Sequence, residues 1–418
     1  MKQLIIVLFL GFTISSFSQE NLSLEQCYEL ANANYPLAKQ AALLSDKNSL
    51  ELAVLKTSKL PKIDFSAQTS YQSDVMELSI DLPGQGIEPP NKDQYSVTLS
   101  VNQLIYGGGA VAAAITAKSS ALKTEQKQLE VSLYQLKKQV NQLYFSILLM
   151  QEKKKVLAAN NHKLASKLLV VKSAIKYGAA LPASDHVLAA EILKIEQLIV
   201  EVDGNKKSLM KTLSALIGQE IVFSTPIESP EISAVMNGDL TRPELELFQL
   251  QKQQIDFSAQ LLSKQNRPKL IGFGTGGYGN PGLNRLDNSF QPYYIVGLKL
   301  SWNVFDWNAT QNKRKSLQVN KSMIDNQQEV FKFNTNIELS QYQSEINKIR
   351  TFIIADKTII ELRKTILNAA DAQLKNGAIT SSAYITELTN LFEAENKLKT
   401  HEIQLLLAQA NQHTTQGN

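Results

Sequence analysis

Cysteine and histidine are scarce in this 418-residue chain, which has one cysteine and four histidines. The single cysteine, Cys27, cannot form a disulfide within the chain, and we expect it to be a packed, small apolar residue rather than a reactive thiol. No serine or cysteine nucleophile motif is present, and the histidines lack the spacing of zinc ligands. The histidines are His162, His186, His401 and His413. The sequence therefore predicts no enzyme, no catalytic residue, no metal site and no cofactor.

A strong net charge and long apolar runs are also missing. The formal net charge is +4, and acidic and basic residues are mixed without a basic block. Nucleic acid is therefore not an expected partner. After residue 18 no apolar run reaches the roughly 18 residues of a membrane-spanning helix. If the mature chain enters a membrane, it must do so by another route than such a helix.

The N-terminus resembles an export signal. Lys2 precedes the apolar run from Leu4 to Phe12, and Ser16-Phe17-Ser18 supplies a small-x-small cleavage site. This order is typical of a secretory signal peptide, here residues 1–18, cleaved after Ser18. No cysteine stands at the cleavage point, so the sequence gives no sign of a lipid anchor there.

The longest predicted element runs from Gly108 to Tyr177. It contains no proline and, after Gly109, no glycine, so we expect one continuous helix. Apolar residues recur every seven positions at Leu122, Leu129, Leu136, Leu143, Met150, Leu157, Leu164 and Val171. A strict seven-residue repeat keeps one seam of a helix against a neighbour and makes the pair supercoil. Roughly 70 residues would form a rod of about 105 Å.

The other elements fall into two similar halves, residues 19–217 and 241–412, joined by an irregular segment at 218–240. The first half is predicted to hold a helix at 22–58 with a break at Pro36, strands at about 62–73 and 94–106, the long helix at 108–177 and a helix at 183–217. The second is predicted to hold a helix at 243–266, strands at about 268–279 and 292–305, a long helix at 308–375 and a helix at 381–412, followed by a tail at 413–418.

The two halves repeat at a constant offset of 199 residues. The alternating strand residues Tyr95 and Tyr294 correspond, and so do the helix-end glycines Gly178 and Gly377. The two halves thus share both the pattern of apolar and polar strand faces and the distance from the strand to the helix end. This duplication indicates an internal repeat.

The four predicted strands fit the wall of a membrane barrel. Their length of about 11 to 13 residues is close to that of a tilted transmembrane strand, and the second strand of each half alternates apolar and polar residues. Aromatic residues gather at the strand ends, as they do at membrane interfaces; they include Tyr71, Tyr95, Tyr106, Phe290, Tyr293, Trp302, Phe305 and Trp307. Four strands cannot close a barrel, so a spanning protein must assemble from several copies. A soluble β-layer packed on helices would show the same alternation and stays open as an alternative.

Glycines at 272, 274 and 277 match the G-x-G-x-x-G pattern of dinucleotide sites. Such a site needs a helix to begin directly after the glycines. Here Gly279-Asn280-Pro281-Gly282 follows instead. We therefore interpret these glycines as strand residues near a loop.

Together the signal peptide, the duplicated element order, the corner Leu104-Ile105-Tyr106-Gly107-Gly108 and the Tyr-Gly and Asn-Gly helix ends resemble the TolC-type outer-membrane efflux protein family. The resemblance covers residues 22–412. It implies a homotrimer whose twelve strands close a barrel in outer-membrane lipid, above a tapering α-barrel of long helices in the periplasm. The irregular segment 218–240 and the C-terminal tail would form an equatorial belt. It also implies a passive exit duct of a tripartite efflux or type I secretion system, with a periplasmic adaptor and an inner-membrane transporter as partners.

The helix reversals near residues 176–185 and 375–382 match the periplasmic tips of that family, where the adaptor docks and the channel closes. The resemblance assigns this role to Tyr177, Gly178, Leu181, Asp185, Asn376, Gly377, Thr380, Ser381 and Glu387. The family often places an acidic residue just past the tip; Asp185 fills this position in the first half, but the second half has no acid before Glu387. This departure weakens the case for an acidic gating ring, and Asp185 as a helix cap or solvated charge stays open. The alternative function is a periplasmic adaptor-like coiled-coil protein, which predicts one helical hairpin around a compact β-domain.

Overall fold

The computed structural model describes residues 21–76, 89–232 and 239–417. The predicted signal peptide and part of the loop after the first strand lie outside the described residues. Within the described ranges the elements are α1 (Leu24–Asn34), α2 (Gln40–Thr57), β1 (Lys62–Tyr71), β2 (Asp93–Tyr106), α3 (Ala110–Tyr134), α4 (Leu136–Lys176), α5 (Ser184–Ile217), α6 (Pro243–Gln265), β3 (Lys269–Asn280), β4 (Gln291–Ser301), α7 (Ala309–Lys375) and α8 (Ser381–Gln416).

The first predicted helix is divided where proline interrupts it. Ser23 caps α1, and its side chain and that of Gln26 bond each other's backbone N–H in a capping box. A short 3₁₀ segment, Pro36–Lys39, then separates α1 from α2. Proline cannot donate to the helical ladder, which explains why the break falls there.

The prediction of one continuous helix from Gly108 to Tyr177 is wrong, because α3 ends at Tyr134 and α4 begins at Leu136. Gln135 keeps helical dihedral angles, so only the hydrogen-bond ladder is interrupted. The Tyr134 hydroxyl donates to the Thr414 carbonyl at 2.8 Å, and the Lys137 ammonium lies 4.7 Å from the Tyr134 ring. The Tyr134–Thr414 bond ties the chain at the break to a distant segment, and a heptad pattern carries no information about such a contact.

The last helix is longer than predicted. It continues to Gln416 through most of the stretch expected to be a tail, and Gly417 ends it with φ of 117°. Thr414 and Thr415 are buried, and the Thr241 N–H donates to the Gln416 carbonyl at 3.0 Å. Burial against neighbouring segments therefore stabilises a polar sequence that would be expected to fray by itself.

The chain divides into two compact units. One comprises residues up to 38 together with 132–242 and 333 onward, and its core joins α1, α4, α5 and α8. Cys27 lies fully buried in this core, and burial raises the pKa of its thiol to about 12. The prediction of a packed, unreactive cysteine is therefore confirmed.

The other unit, residues 39–131 and 243–332, contains one antiparallel sheet of four strands in the order β1-β2-β3-β4. Directly paired residues point to the same face, so the register defines both faces. One row joins Ile63, Val101, Gly274 and Val296. The next row joins Asp64, Ser100, Thr275 and Ile295. The apolar residues of β1 and β2 and the alternate apolar residues of β4 thus share one face.

This apolar face is open to solvent in the single chain. Phe65 is 71% exposed, Leu298 is 68% exposed and Val296 is 72% exposed. The pattern glycines 272 and 274 belong to β3 on this same face, and in the described chain a loop rather than a helix follows β3. Their interpretation as strand glycines is confirmed, and the sheet buries neither its apolar face nor its outer edges on β1 and β4.

Local backbone geometry repeats at the predicted offset of 199. The entries to α3 and α7 have the same hydrogen bonds, from Ala110 N–H to the Gly107 carbonyl and from Ala309 N–H to the Asp306 carbonyl. Left-handed residues precede both helices: glycines 108 and 109 in the first half, Trp307 and Asn308 in the second. The first half thus uses two glycines in this turn, whereas the second half adopts the same turn without any glycine.

We expect Gly108→Ala to damage folding more than Gly178→Ala. Both glycines have left-handed φ, 61° and 69°, which costs a residue with a Cβ about 1–2 kcal/mol. A Cβ on Gly108 would also lie 2.5 Å from the Arg267 Cβ, whereas one on Gly178 would meet no atom within 4 Å. Overpacking adds about 1–3 kcal/mol. Folded yield and thermal unfolding measured by circular dichroism should rank wild type, Gly178→Ala and Gly108→Ala in that order; equal losses would contradict the steric argument.

Candidate functional site

The candidate site is the pair of helix reversals between α4 and α5 and between α7 and α8. At the first, Gly178 N–H donates to the Ile175 carbonyl at 3.0 Å and Ala179 N–H to the Ala174 carbonyl at 2.8 Å. At the second, Gly377 N–H donates to Leu374 at 3.1 Å and Ala378 N–H to Gln373 at 2.8 Å. Both are Schellman caps on a left-handed glycine with φ of 69°. The helices α4 and α7 therefore end in equivalent caps.

The first reversal presents apolar side chains to solvent. Tyr177 is 77% exposed and Leu181 is 63% exposed. Ala183 begins α5 in the left-handed region and gives no side-chain cap. Asp185 lies in the first turn of α5, where the partial positive charge of the helix N-terminus favours a carboxylate.

The second reversal is more polar and more tightly bonded. Asn376 and Gly377 are exposed. Thr380 caps α8 by accepting from the Ala383 N–H at 3.3 Å, and Ser381 is buried. The Glu387 carboxylate pairs with Arg363 of α7 at 3.3 Å. Glu387 is thus engaged within its own hairpin, whereas Asp185 has no such partner among the ion pairs of the described chain.

An apolar cluster joins the two hairpins below the reversals. It contains buried residues of α4, α5, α7 and α8, namely Leu157, Leu164, Val171, Leu188, Ile195, Ala370, Tyr384 and Leu388. Leu157, Leu164 and Val171 are the last three residues of the seven-residue seam predicted for the long helix. This part of the seam therefore packs within the chain, and one core holds both hairpins.

A charged contact beside this cluster ties the first hairpin to the second. Lys167 of α4 binds the Asp371 carboxylate of α7, and Lys375 binds its other oxygen at 2.8 Å. The Lys167 ammonium also lies 4.9 Å from the Tyr384 ring of α8. We call Lys167, Asp371, Lys375 and Tyr384 the hairpin clasp. Sequence reasoning missed it because Lys167 and Asp371 are far apart in the chain, and the only signal was charge beside an apolar seam.

The clasp shifts the titration of its carboxyl group. Partial burial by itself would raise the pKa of Asp371, but hydrogen bonds from Lys167 and Lys375 outweigh this and hold the pKa below its ordinary value. The carboxylate is therefore ionised at neutral pH, and the ion pair is complete there.

The described residues contain neither a cluster of metal-ligating side chains nor a membrane-spanning helix. No group of three or more histidine, cysteine, aspartate or glutamate side chains there could hold a metal ion. No helix of the described chain combines the length and the apolarity needed to cross a membrane.

Comparison with known proteins relates both sequence and fold to one group. The family model for outer membrane efflux proteins matches residues 27–219. No curated protein matches the chain. The fold is similar to the outer membrane protein VceC of Vibrio cholerae, at 15% identity over 94% of this chain and 96% of that one, with a TM-score of 0.65.

Two further channel structures have the same fold. CusC, a protein described as forming a transmembrane channel, has a TM-score of 0.70 at 12% identity, covering 94% of this chain and 92% of its own. The Campylobacter jejuni outer membrane channel CmeC has a TM-score of 0.64 at 16% identity, covering 96% and 86%. At these identities the likeness establishes the fold, and the family match over residues 27–219 adds the sequence relationship. The chain thus has the fold of these channel structures, and its residues 27–219 match the outer membrane efflux protein family.

Proposed function

We propose that the chain is an outer-membrane exit duct that assembles as a homotrimer and receives its cargo from a periplasmic adaptor and an inner-membrane transporter. Export would follow cleavage of the signal peptide after Ser18. The duct itself would break no bond and would hold no cofactor. Energy for transport would come from the inner-membrane partner.

The observation that carries this proposal is the open sheet. Its apolar face is exposed on β1, β2 and β4, and β1 and β4 leave their outer edges unpaired in the single chain. In lipid an unpaired edge costs several kcal/mol for each backbone group, so the sheet must be closed by other copies. Three copies would supply twelve strands, with the apolar face toward lipid and the polar face toward a water-filled lumen.

The helix reversals would form the periplasmic end of the duct. The exposed Tyr177 and Leu181 offer an apolar contact for an adaptor, and Gly178, Asn376 and Gly377 keep the reversals narrow. Asp185 would face either the adaptor or the closed pore, whereas Thr380, Ser381 and Glu387 support the fold of the second hairpin. The hairpin clasp would hold the two hairpins of one subunit together in the closed state.

A periplasmic adaptor is the weaker candidate. It requires one helical hairpin and a compact β-domain, whereas this chain has two equivalent hairpins and an open sheet. The family match also favours the channel.

Planar-bilayer recording tests the duct. Full-length protein purified from outer membranes should give large, stable single-channel currents and should migrate on gels as an oligomer that heat dissociates. A soluble periplasmic monomer without conductance would refute the proposal. Copurification of an adaptor with wild type but not with a Tyr177→Asp, Leu181→Asp variant would support the docking role of the tips.

Breaking the clasp should open the duct. In Asp371→Asn the carboxylate that holds Lys167 is lost, so the hairpins should separate more often and the frequency of open events in bilayers should rise several-fold. Glu361→Gln is the matched control, because Glu361 pairs only with Lys364 on the same helix at 2.9 Å. Equal open frequencies in the two variants would exclude the clasp as a closing contact.

The pH dependence follows from the direction of the Asp371 shift. Its folded-state pKa lies below the unfolded value, so the stabilisation is complete above about pH 4 and is lost only as pH falls through the folded-state pKa. Wild type should therefore keep its closed-state frequency between about pH 7 and pH 5. Opening already at pH 6 would show that another group controls closure.

A further inference from the structure

A cleft between the end of α6 and the first turns of α7 is lined with positive charge. Its basic side chains are Lys264, Arg267, Arg314 and Lys315. The acidic side chain in the cleft is Asp256, whose carboxylate is bound by the Lys321 ammonium at 2.8 Å. The other lining residues are neutral, so the cleft carries an excess of cations.

None of these four cations forms an ion pair within the described chain. Elsewhere on the same two helices, lysines are neutralised across the gap: Lys252 binds Asp325 at 2.9 Å, and Lys321 binds Asp256. Arg267, Arg314 and Lys315 are exposed, and Lys264 is half-buried. Four free cations close together repel one another and attract an anion.

The cleft lies at the helix end of the sheet. Arg267 precedes the first residue of β3 by two positions, and β3 and β4 are paired at this end through Lys269 and Ser301. Arg314 and Lys315 follow the start of α7 by five and six residues, which places them about 8–9 Å along its axis. The cations therefore fall within one or two helical turns of the end of the strands.

Exposed aromatic residues mark the same end of the sheet. Trp302 is 55% exposed, Phe305 is 65% exposed and Trp307 is 83% exposed. The Phe305 and Trp307 rings meet edge to face with centroids 4.8 Å apart. Aromatic residues of this kind mark the level of lipid headgroups. The headgroup layer is about 5–7 Å thick on each side, so the cations lie at the depth of lipid phosphates or just beyond it.

We propose that this cleft, Lys264, Arg267, Arg314 and Lys315, binds the headgroup phosphate of an anionic phospholipid in the periplasmic leaflet. The proposal rests on the outer-membrane barrel proposed above. Guanidinium groups bind phosphate oxygens in pairs, and the lysine ammonium groups add charge. Three such clefts would anchor the trimer at its periplasmic rim.

The two tryptophans of the chain provide the measurement. The sequence contains only Trp302 and Trp307, and both lie at this end of the sheet, so quenching of their fluorescence by brominated lipid reports lipid near the cleft. Full-length protein would be reconstituted in phosphatidylcholine vesicles containing brominated phosphatidylglycerol or, separately, brominated phosphatidylcholine. The test variant is Lys264→Gln, Arg267→Gln, Arg314→Gln, Lys315→Gln. The control, Lys172→Gln, Lys207→Gln, Lys211→Gln, Lys357→Gln, removes the same charge from exposed residues elsewhere.

Wild type and control should be quenched more strongly by phosphatidylglycerol, and the test variant should lose this preference by roughly tenfold or more. Equal preference in all three proteins would overturn the proposal. A test variant that keeps the lipid preference but changes the anion selectivity of the channel would also overturn it, because the cations would then line the lumen. Failure of wild type to insert and conduct would instead refute the proposed function.

Discussion

Val296→Arg should prevent stable insertion of the protein into the outer membrane. Val296 lies in the middle of β4 on the apolar face and is 72% exposed in the single chain. If this face meets lipid, arginine at that depth costs about 2–4 kcal/mol for each copy, and a trimer incurs this cost three times. Fractionation and gels of unheated samples should show loss of the membrane-bound oligomer.

The matched control for this substitution is Thr98→Arg. Thr98 pairs with Ser66 and Gly277 on the polar face of the same sheet. A lumen-facing arginine meets water and should leave assembly intact while altering ion selectivity. If Thr98→Arg abolished insertion and Val296→Arg did not, the two faces of the sheet would have been assigned the wrong way round.

Removing one partner of the His401–Asp356 pair should destabilise the helical unit by about 1–3 kcal/mol, because the other side chain is left without its hydrogen bond in a largely buried position. His401 Nδ1 lies 2.5 Å from the Asp356 carboxylate, and both side chains are largely buried between α7 and α8. The Phe352 ring lies 5.3 Å from the His401 ring, so the pair is shielded on one side by an apolar group. A single substitution, Asp356→Leu, leaves His401 without its partner in this environment.

The internal repeat supplies the control for this prediction. The positions 199 residues earlier hold Leu157 and Val202, which belong to the apolar cluster of the hairpins. The double variant Asp356→Leu, His401→Val copies this apolar pair. Its free energy of unfolding should match that of wild type within about 1 kcal/mol or exceed it, because replacing both partners of a buried hydrogen bond by apolar groups can be neutral or stabilising. Thermal unfolding of the two single variants and the double variant measures the coupling. Additive losses would show that the two side chains do not depend on each other.

Periodicity predicted the elements of this chain well where a single helix or strand determines its own pattern. Alternation in β2 and β4 defined the two faces of the sheet, and the glycines at 178 and 377 end their helices. Periodicity failed at Gln135 and at the end of α8, where contacts of Tyr134, Thr414 and Gln416 with distant segments decide the hydrogen-bonding pattern. Seven-residue spacing records which face of a helix is apolar, but not where a distant residue interrupts it.

The tip residues were predicted from the two helix-end glycines and from the family resemblance, whereas the clasp was not. Lys167 and Asp371 lie 204 positions apart, and neither belongs to a motif. Only the packing of α4 against α7 and α8 brings them together. The same holds for the basic cleft, since its cations come from two segments, the end of α6 with the residues after it and the start of α7, separated by a pair of strands.

The sequence by itself determined the local features of this protein: the strands with one apolar face, the long apolar seams, the tight helix reversals and the duplication at 199 residues. These depend on interactions between residues a few positions apart, which any short stretch of sequence records. Tertiary structure alone decided the strand order, the break at Gln135, the clasp and the cleft of unpaired cations. Each of these arises where segments distant in sequence meet, and the energy of such a contact depends on burial and distances that no local pattern contains.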